Sequence, residues 1–427
     1  MRQRRSSAGA AAGQTGVDTL MSVIDHTAAI LLRLMGSRRG PSLDQERSEL
    51  AFEKRLVPAK QREVRFSDFE GVAALKERGG LRSDNWENWC RLWQQNPAMA
   101  VAKSKLSMGW VLETSRGIVG YQGSVPLLYR FGGRTLVAAT GTSLVVEPSY
   151  RACTIGLLAS FYRQPGVELF LITTAMPSVG EVSKALRARA LPQRDYDSVL
   201  FWVLNKHQFA KAVATKLGLR GGIAAVGAAV GAFTLRMDTC IHRRRPKDIT
   251  HKFAITEIQV NDIGEEFQAL WQRKITETPR LMADRSPSSL RWHFTIPRSS
   301  STAVVLCCHR FNRLIGYAIV QRSIDRRTGL RKCLLADLLV EQDDFSVTLG
   351  LLESAYTNAV TSGDEVFEVL GLPRNIRQIL MLWHPYLRAY PAPSFFYKVT
   401  DQGLAQRLSD ENAWYASPFD GDTTLMP

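Results

Sequence analysis

Chemistry is most legible in this chain between Leu144 and Gly156. An apolar, strand-like run closes on Leu144-Val145-Val146-Glu147-Pro148, and Arg151-Ala152-Cys153-Thr154-Ile155-Gly156 leads on into a helical pattern. The first backbone N–H groups of a helix have no carbonyl partner inside it, and the helix dipole adds partial positive charge at that end. A strand that runs into such a turn offers a seat for a phosphate-like anion. Small residues let a ligand approach the backbone, and Arg151 can pair with an anionic oxygen. Other reactive patterns are missing. The seven histidines show no metal-ligand spacing, and none of the six cysteines forms a CxxC pair. No Ser-His-Asp or Cys-His arrangement can be read, so Cys153 counts as filler rather than as a nucleophile. No metal is expected.

The elements that must position this tract occur twice. In one stretch a Trp-rich helical segment, Asn85–Pro97, precedes a strand at Gly109–Glu113. A turn at Ser115-Arg116-Gly117 then leads into Ile118-Val119-Gly120-Tyr121. In the other, Leu290–Pro297 precedes Thr302–Arg310, and a turn at Asn312-Arg313 leads into Leu314-Ile315-Gly316-Tyr317. Long strands follow, Arg134–Pro148 and Arg331–Glu341, then helices at Ile155–Arg163 and Phe345–Thr361. Apolar strands come next, at Val167–Ile172 and Glu365–Leu370. Recurrence in one order at an offset of about 195 residues argues for a repeated module. Four parts result: a basic, weakly ordered leader over 1–57 with an amphipathic helix, a module over 58–206, a helical connector over 207–250 ending in a basic run, and a second module over 251–427.

These residues resemble the GNAT superfamily of acyl-CoA N-acyltransferases, in particular its bacterial tandem (double) branch. The resemblance covers residues 58–206 and 251–427. It rests on the strand followed by Arg151-Ala152-Cys153-Thr154-Ile155-Gly156, against a family loop of the form (Q/R)-x-x-G-x-(G/A). Thr154 departs from it, standing where the first glycine belongs. The implied fold is mixed α+β, two GNAT modules each with a twisted, mostly antiparallel sheet flanked by helices. The implied co-substrate is acyl-CoA, most simply acetyl-CoA. Its diphosphate would lie on the Arg151–Gly156 loop and its pantetheine arm along Leu144, Val145 and Val146. A free N–H there would polarise the thioester carbonyl. The implied reaction is direct transfer of the acyl group to an amine or hydroxyl. Proton handling by Glu147, Ser178 or Tyr196 is the expectation that follows. The second module carries Gln342-Asp343-Asp344 at the corresponding place, which caps a helix and repels a diphosphate, so it is expected to have lost cofactor binding. The ending Trp414-Tyr415 with Phe419-Asp420-Gly421-Asp422 resembles the tail of double-GNAT proteins encoded with polysaccharide-assembly genes. Its aspartates are read as a turn or as contacts to a cationic acceptor or a metal.

Composition sets the outer bounds. At 427 residues, 45% hydrophobic and 22% charged, the chain is globular in type and long enough for two cores. Unpaired cysteines fit a cytoplasmic compartment. The net charge of +15 favours polyanionic company: CoA phosphates, an anionic membrane surface or nucleic acid. It keeps open an aminoacyl transferase of the Fem type, which uses aminoacyl-tRNA, and a non-catalytic binding protein. The uncharged stretch between Arg220 and Arg236 is short for a membrane span and reads as a buried or interdomain helix.

Overall fold

The computed structural model describes residues 57–102, 106–246, 253–299 and 301–426. The leader expected over 1–57, with its amphipathic helix, lies outside the described residues except for Val57.

Apolar periodicity sets the elements and local chemistry sets their ends. β1 (Lys60–Glu63) is followed by helices α1 (Phe69–Arg78), α2 (Trp86–Trp93) and α3 (Pro97–Val101). α2 buries Trp89, Leu92 and Trp93, and Asn85 caps it by accepting from the Asn88 N–H. It stops where Asn96 and Pro97 begin α3, one turn short of the helix the Trp spacing predicts. β2 (Gly109–Thr114), β3 (Gly117–Phe131) and β4 (Arg134–Val146) form an antiparallel meander. Its second hairpin turns on Gly132 and Gly133, both at positive φ. α4 (Thr154–Phe161) then leads to β5 (Leu169–Ile172), parallel to β4. α5 (Pro177–Ala185), β6 (Arg189–Ala190) and β7 (Ser198–Val203) follow, and α6 (Lys206–Lys216) and α7 (Gly221–His242) make the connector.

The remaining chain runs through a similar, not identical, order of elements. It comprises β8 (Ile255–Gln259), α8 (Glu265–Ile275), β9 (Met282–Ala283) and α9 (Pro287–Phe294). The meander β10 (Thr302–Arg310), β11 (Arg313–Ile324) and β12 (Arg331–Val340) follows. α10 (Phe345–Thr361), β13 (Val366–Val369), α11 (Arg374–Met381), β14 (Tyr386–Ala389), β15 (Phe396–Val399) and α12 (Gln402–Arg407) complete it. As expected, Asp344 caps α10, accepting from the Ser346 and Val347 N–H groups.

Two sheets result, ordered β1-β2-β3-β4-β5-β15-β6, with β9 against β3, and β14-β7-β13-β12-β11-β10-β8. Each half gives one strand to the other. β7 lies between β13 and β14 of the second sheet, and β15 lies between β5 and β6 of the first. A cut between 206 and 251 therefore divides the sequence without dividing the sheets. The largest buried apolar cluster is shared: Tyr129, Leu136 and Leu169 of the first sheet pack in one core with Trp202, Leu335 and Phe367 of the second.

One expectation needs correction. The helix after Arg220 is neither short nor buried, running from Gly221 to His242 with only Ala228 and Ala232 fully covered. It runs on past Leu235 because Arg236 and Met237 continue a helix well once its first turns exist.

Candidate functional site

β4 and β5 pair only from Ala138↔Leu169 to Thr140↔Leu171. β5 ends at Ile172, whereas β4 runs on to Val146, so the far end of β4 has no strand beside it on that flank. The divergence has a local cause. Ser143 sits at φ 52°, and pairing with β3 shifts between Tyr121 and Gly123, a bulge that bends β4 away from its neighbour. The wedge so formed opens into a cleft of about 640 Å³, lined by Gly141, Thr142, Ser143 and Leu144 of β4. Ile172, Thr174, Met176 and Val179 form the opposite wall, and the α1–α2 loop from Leu81 to Asn85 closes one side.

Gln122 points into this cleft from the unpaired bulge position, its Nε2 donating to the Gly123 carbonyl at 2.8 Å. Its Oε1 is buried without a hydrogen-bond partner, and so is the Oγ1 of Thr423, which also lines the cleft. Buried polar atoms are nearly always paired, so both oxygens stand ready to bond solvent or a ligand in the cleft. Asp84 stands at the rim, held by Lys76 at 2.7 Å and by the Asn88 side chain at 2.8 Å.

The remaining wall comes from the far end of the chain. Beyond α12 the chain forms a parallel bridge from Trp414 to Leu281. Tyr415 then donates its hydroxyl to the Leu338 carbonyl at 2.5 Å, and the Ala416 carbonyl accepts from the Leu372 N–H at 2.9 Å. Leu338 and Leu372 flank the place where β12 and β13 diverge, so the tail fills the wedge of the second sheet that corresponds to the open one in the first. Gln193 clasps Ala416 through both its N–H and its carbonyl.

Next comes a fully buried ionic knot. Arg285 forks onto both carboxylate oxygens of Asp337, each at 2.9 Å, and reaches Asp420 at 3.1 Å. Ser417 bonds both aspartates. Burial works against the charge on Arg285, but the two carboxylates outweigh it and hold the guanidinium charged. Burial drives the Asp420 carboxyl upward, and Arg285 works against that.

Gly421 follows at φ 141°, where an added Cβ would lie 2.4 Å from Thr173. That closeness brings Asp422 into the cleft. Its Oδ1 accepts from the Thr173 hydroxyl at 2.5 Å and its Oδ2 from Thr174 at 3.0 Å, while its own N–H donates to Thr173 Oγ1. Burial pushes the Asp422 carboxyl above its ordinary range, and the two threonine hydroxyls restrain the rise. A carboxylate with a raised proton affinity, at a cleft wall, is suited to take a proton from a nucleophile.

The residues expected from sequence fall into two groups. Leu144 lines the cleft. Val145 packs inward beneath α1 and Val146 is half-buried, and neither lines the cleft. The tract from Arg151 to Gly156 is a 3₁₀ turn over Pro148–Cys153 running straight into α4, not an open loop. The Thr154 N–H is already donated to the Arg151 carbonyl, and no residue of the tract takes positive φ. With Thr154 in place of a glycine, the chain stays helical. Arg151, Ala152, Ile155 and Gly156 nevertheless face solvent, with Cys153 and Thr154 half-buried.

The expected proton-handling residues do not come together. Glu147 is paired with Arg78 at 2.9 Å on the surface. Ser178 is exposed on the first turn of α5. Tyr196 is buried in the shared core, edge-on to Phe395, and burial raises its phenol far above the usual range. None of the three lines the cleft. Asp422 does; from sequence its tail reads as a turn or as contacts to a cationic acceptor or a metal.

No family model matches the sequence, and no curated protein matches it. Solved structures do. The chain is similar to a GCN5-related N-acetyltransferase from Anabaena variabilis, with TM-score 0.52 and 10% identity over 81% of this chain and 74% of that one. It is similar to an Enterococcus faecalis protein described as a probable N-acyltransferase, with TM-score 0.50 and 9% identity over 81% and 73%. Saccharomyces cerevisiae N-myristoyltransferase with bound myristoyl-CoA aligns at TM-score 0.49 and 11% identity over 84% and 86%. At such identities the likeness is one of fold. The chain shares its mixed α+β fold with the Anabaena variabilis N-acetyltransferase structure and the Enterococcus faecalis protein.

Proposed function

We propose that this protein transfers an acyl group from acyl-CoA to an amine, in the cleft between β4 and β5. The observation that carries the reading is the open flank of β4 facing the Asp422 carboxylate across a cleft with unpaired Gln122 and Thr423 oxygens. An extended amide-bearing arm can add to the free edge from Gly141 to Val146 as an extra strand, in the manner of β-augmentation. Backbone N–H groups on that edge then hold the thioester carbonyl and steady the charge that develops on its oxygen. Arg151, exposed just past the end of β4, can pair with the diphosphate.

Asp422 puts a hydrogen-bond acceptor on the cleft wall, within reach of an amine bound there. Asp422 takes the proton of the amine as its nitrogen attacks the thioester carbon. The C–N bond forms, the C–S bond breaks, and the thiolate leaves to be protonated. Acetyl is the group to assay first. The setting implied by the tail, polysaccharide assembly, offers amino sugars as acceptors. The second half supplies Asp422 and shapes the cleft without taking a nucleotide itself.

Calorimetric titration with acetyl-CoA tests the seat. Wild type should bind and Arg151→Glu should weaken binding by about tenfold or more, since a charge-assisted contact becomes a repulsion. Equal affinity in the two, or none in either, overturns the assignment. Copurifying tRNA would favour an aminoacyl-tRNA substrate instead.

A further inference from the structure

The helix that links the two halves has two unlike faces. On one, Ala228 and Ala232 are buried with Ala210 of α6, and Gly231 comes so near that an added Cβ would lie 3.3 Å from Ala210 Cβ. On the other, Ile223, Val226, Val230, Phe233, Met237 and Ile241 recur every three or four residues and stand 48–68% exposed. These six side chains form one stripe along a helix about 33 Å long. Apolar residues scattered singly over a surface are ordinary, but a continuous stripe is not.

The surroundings of the stripe are basic. From Lys206 to Arg245 there are eight lysines and arginines and one acid, Asp238. That acid is already committed, to Arg244 at 2.5 Å and to the Tyr386 hydroxyl. Lys211, Lys216 and Arg220 are exposed near one end of α7, and Arg236, Arg243 and Arg245 near the other. Arg244 also holds the His384 carbonyl at 2.8 Å and stacks on Tyr386 at 4.2 Å, pinning the helix end to the body. Fixed along its small-residue face and at its end, α7 can present its stripe sideways. It cannot cross a bilayer without leaving α6.

We propose that α7 docks this protein on an anionic lipid bilayer. The stripe sinks to the boundary between headgroups and acyl chains, and the flanking lysines and arginines meet lipid phosphates. An interfacial helix needs this pairing of an apolar face with cations at its borders. The charge decides against a second copy of the chain as occupant, since two such faces brought together would set like charges against each other. The inference does not rest on the acyl-transfer reading.

Flotation of the full chain with vesicles tests it. Equal parts of phosphatidylglycerol and phosphatidylcholine should carry the protein up at low salt, at least about tenfold better than phosphatidylcholine alone, with loss as salt rises. The double variant Val230→Asp and Phe233→Asp should lose binding by about tenfold or more while keeping its melting temperature. Phe233→Trp, which preserves the surface, should bind and shift its emission to the blue on the anionic vesicles. The proposal is overturned by failure of wild type to float, or by flotation of the aspartate variant equal to wild type. A dimer that the aspartates dissociate, without vesicle binding, assigns the face to a second copy and overturns it too.

Discussion

Asp422 reaches its place because position 421 has no side chain. Gly421→Ala puts a methyl group against Thr173 at a φ that L residues rarely adopt, so the tail must back away from the cleft. Such strain costs about 1–3 kcal/mol. We expect a lower melting temperature together with a loss of turnover larger than the loss of acyl-CoA affinity, read by calorimetry beside steady-state kinetics. Asp422→Asn separates the chemistry from the packing. Loss of a general base lowers the rate by about 10²–10⁴-fold, so turnover should fall steeply while the fold is kept. In wild type the base must be deprotonated, so turnover falls as pH drops through the raised Asp422 pKa, and the Asn variant should lack that limb. The sign for stability is opposite. A carboxyl whose proton affinity rises on folding favours the fold at low pH and loses that contribution as pH rises through its folded pKa. At neutral pH the Asn variant should therefore melt no lower than wild type, and calorimetry at several pH values checks this.

Among elements, the tail and the wedge it fills depend on the ionic knot around Arg285. Arg285→Ala leaves Asp337 and Asp420 facing each other in a dry interior, and breaking a buried pair in this way costs about 3–5 kcal/mol. Urea denaturation should show that loss, and Arg285→Met with both aspartates changed to Asn should recover part of it. Elements were also where sequence reading reached furthest. Both meanders, the helix after each long strand and the cap at Asp344 are written in local periods and local hydrogen bonds, and they stand within a residue or two of where those periods put them. The 3₁₀ turn at Pro148–Cys153 was less legible, because one residue, Thr154, decides between a loop and a helix. The approach of Asp422 to Thr173 was invisible. Those partners lie 249 positions apart, and no periodicity encodes so distant a contact.

For the whole molecule the exchange of β7 and β15 matters most. Each sheet is completed by a strand from the other half, and the largest core is common to both. The described body should therefore unfold in one transition, with agreement between calorimetric and van't Hoff enthalpies. Residues 58–206 expressed alone should fail to give a protected sheet in hydrogen exchange, and coexpression with 207–427 should restore it. Two separable transitions would refute this.

The exchange also bears on how such a chain can change over time. A half whose wedge is filled by its own tail still cannot be discarded. Its removal would strip a central neighbour from the working sheet and leave two edges gaping. That half is thus bound to the other as architecture, through the strand it lends, its arginine knot and its final carboxylate.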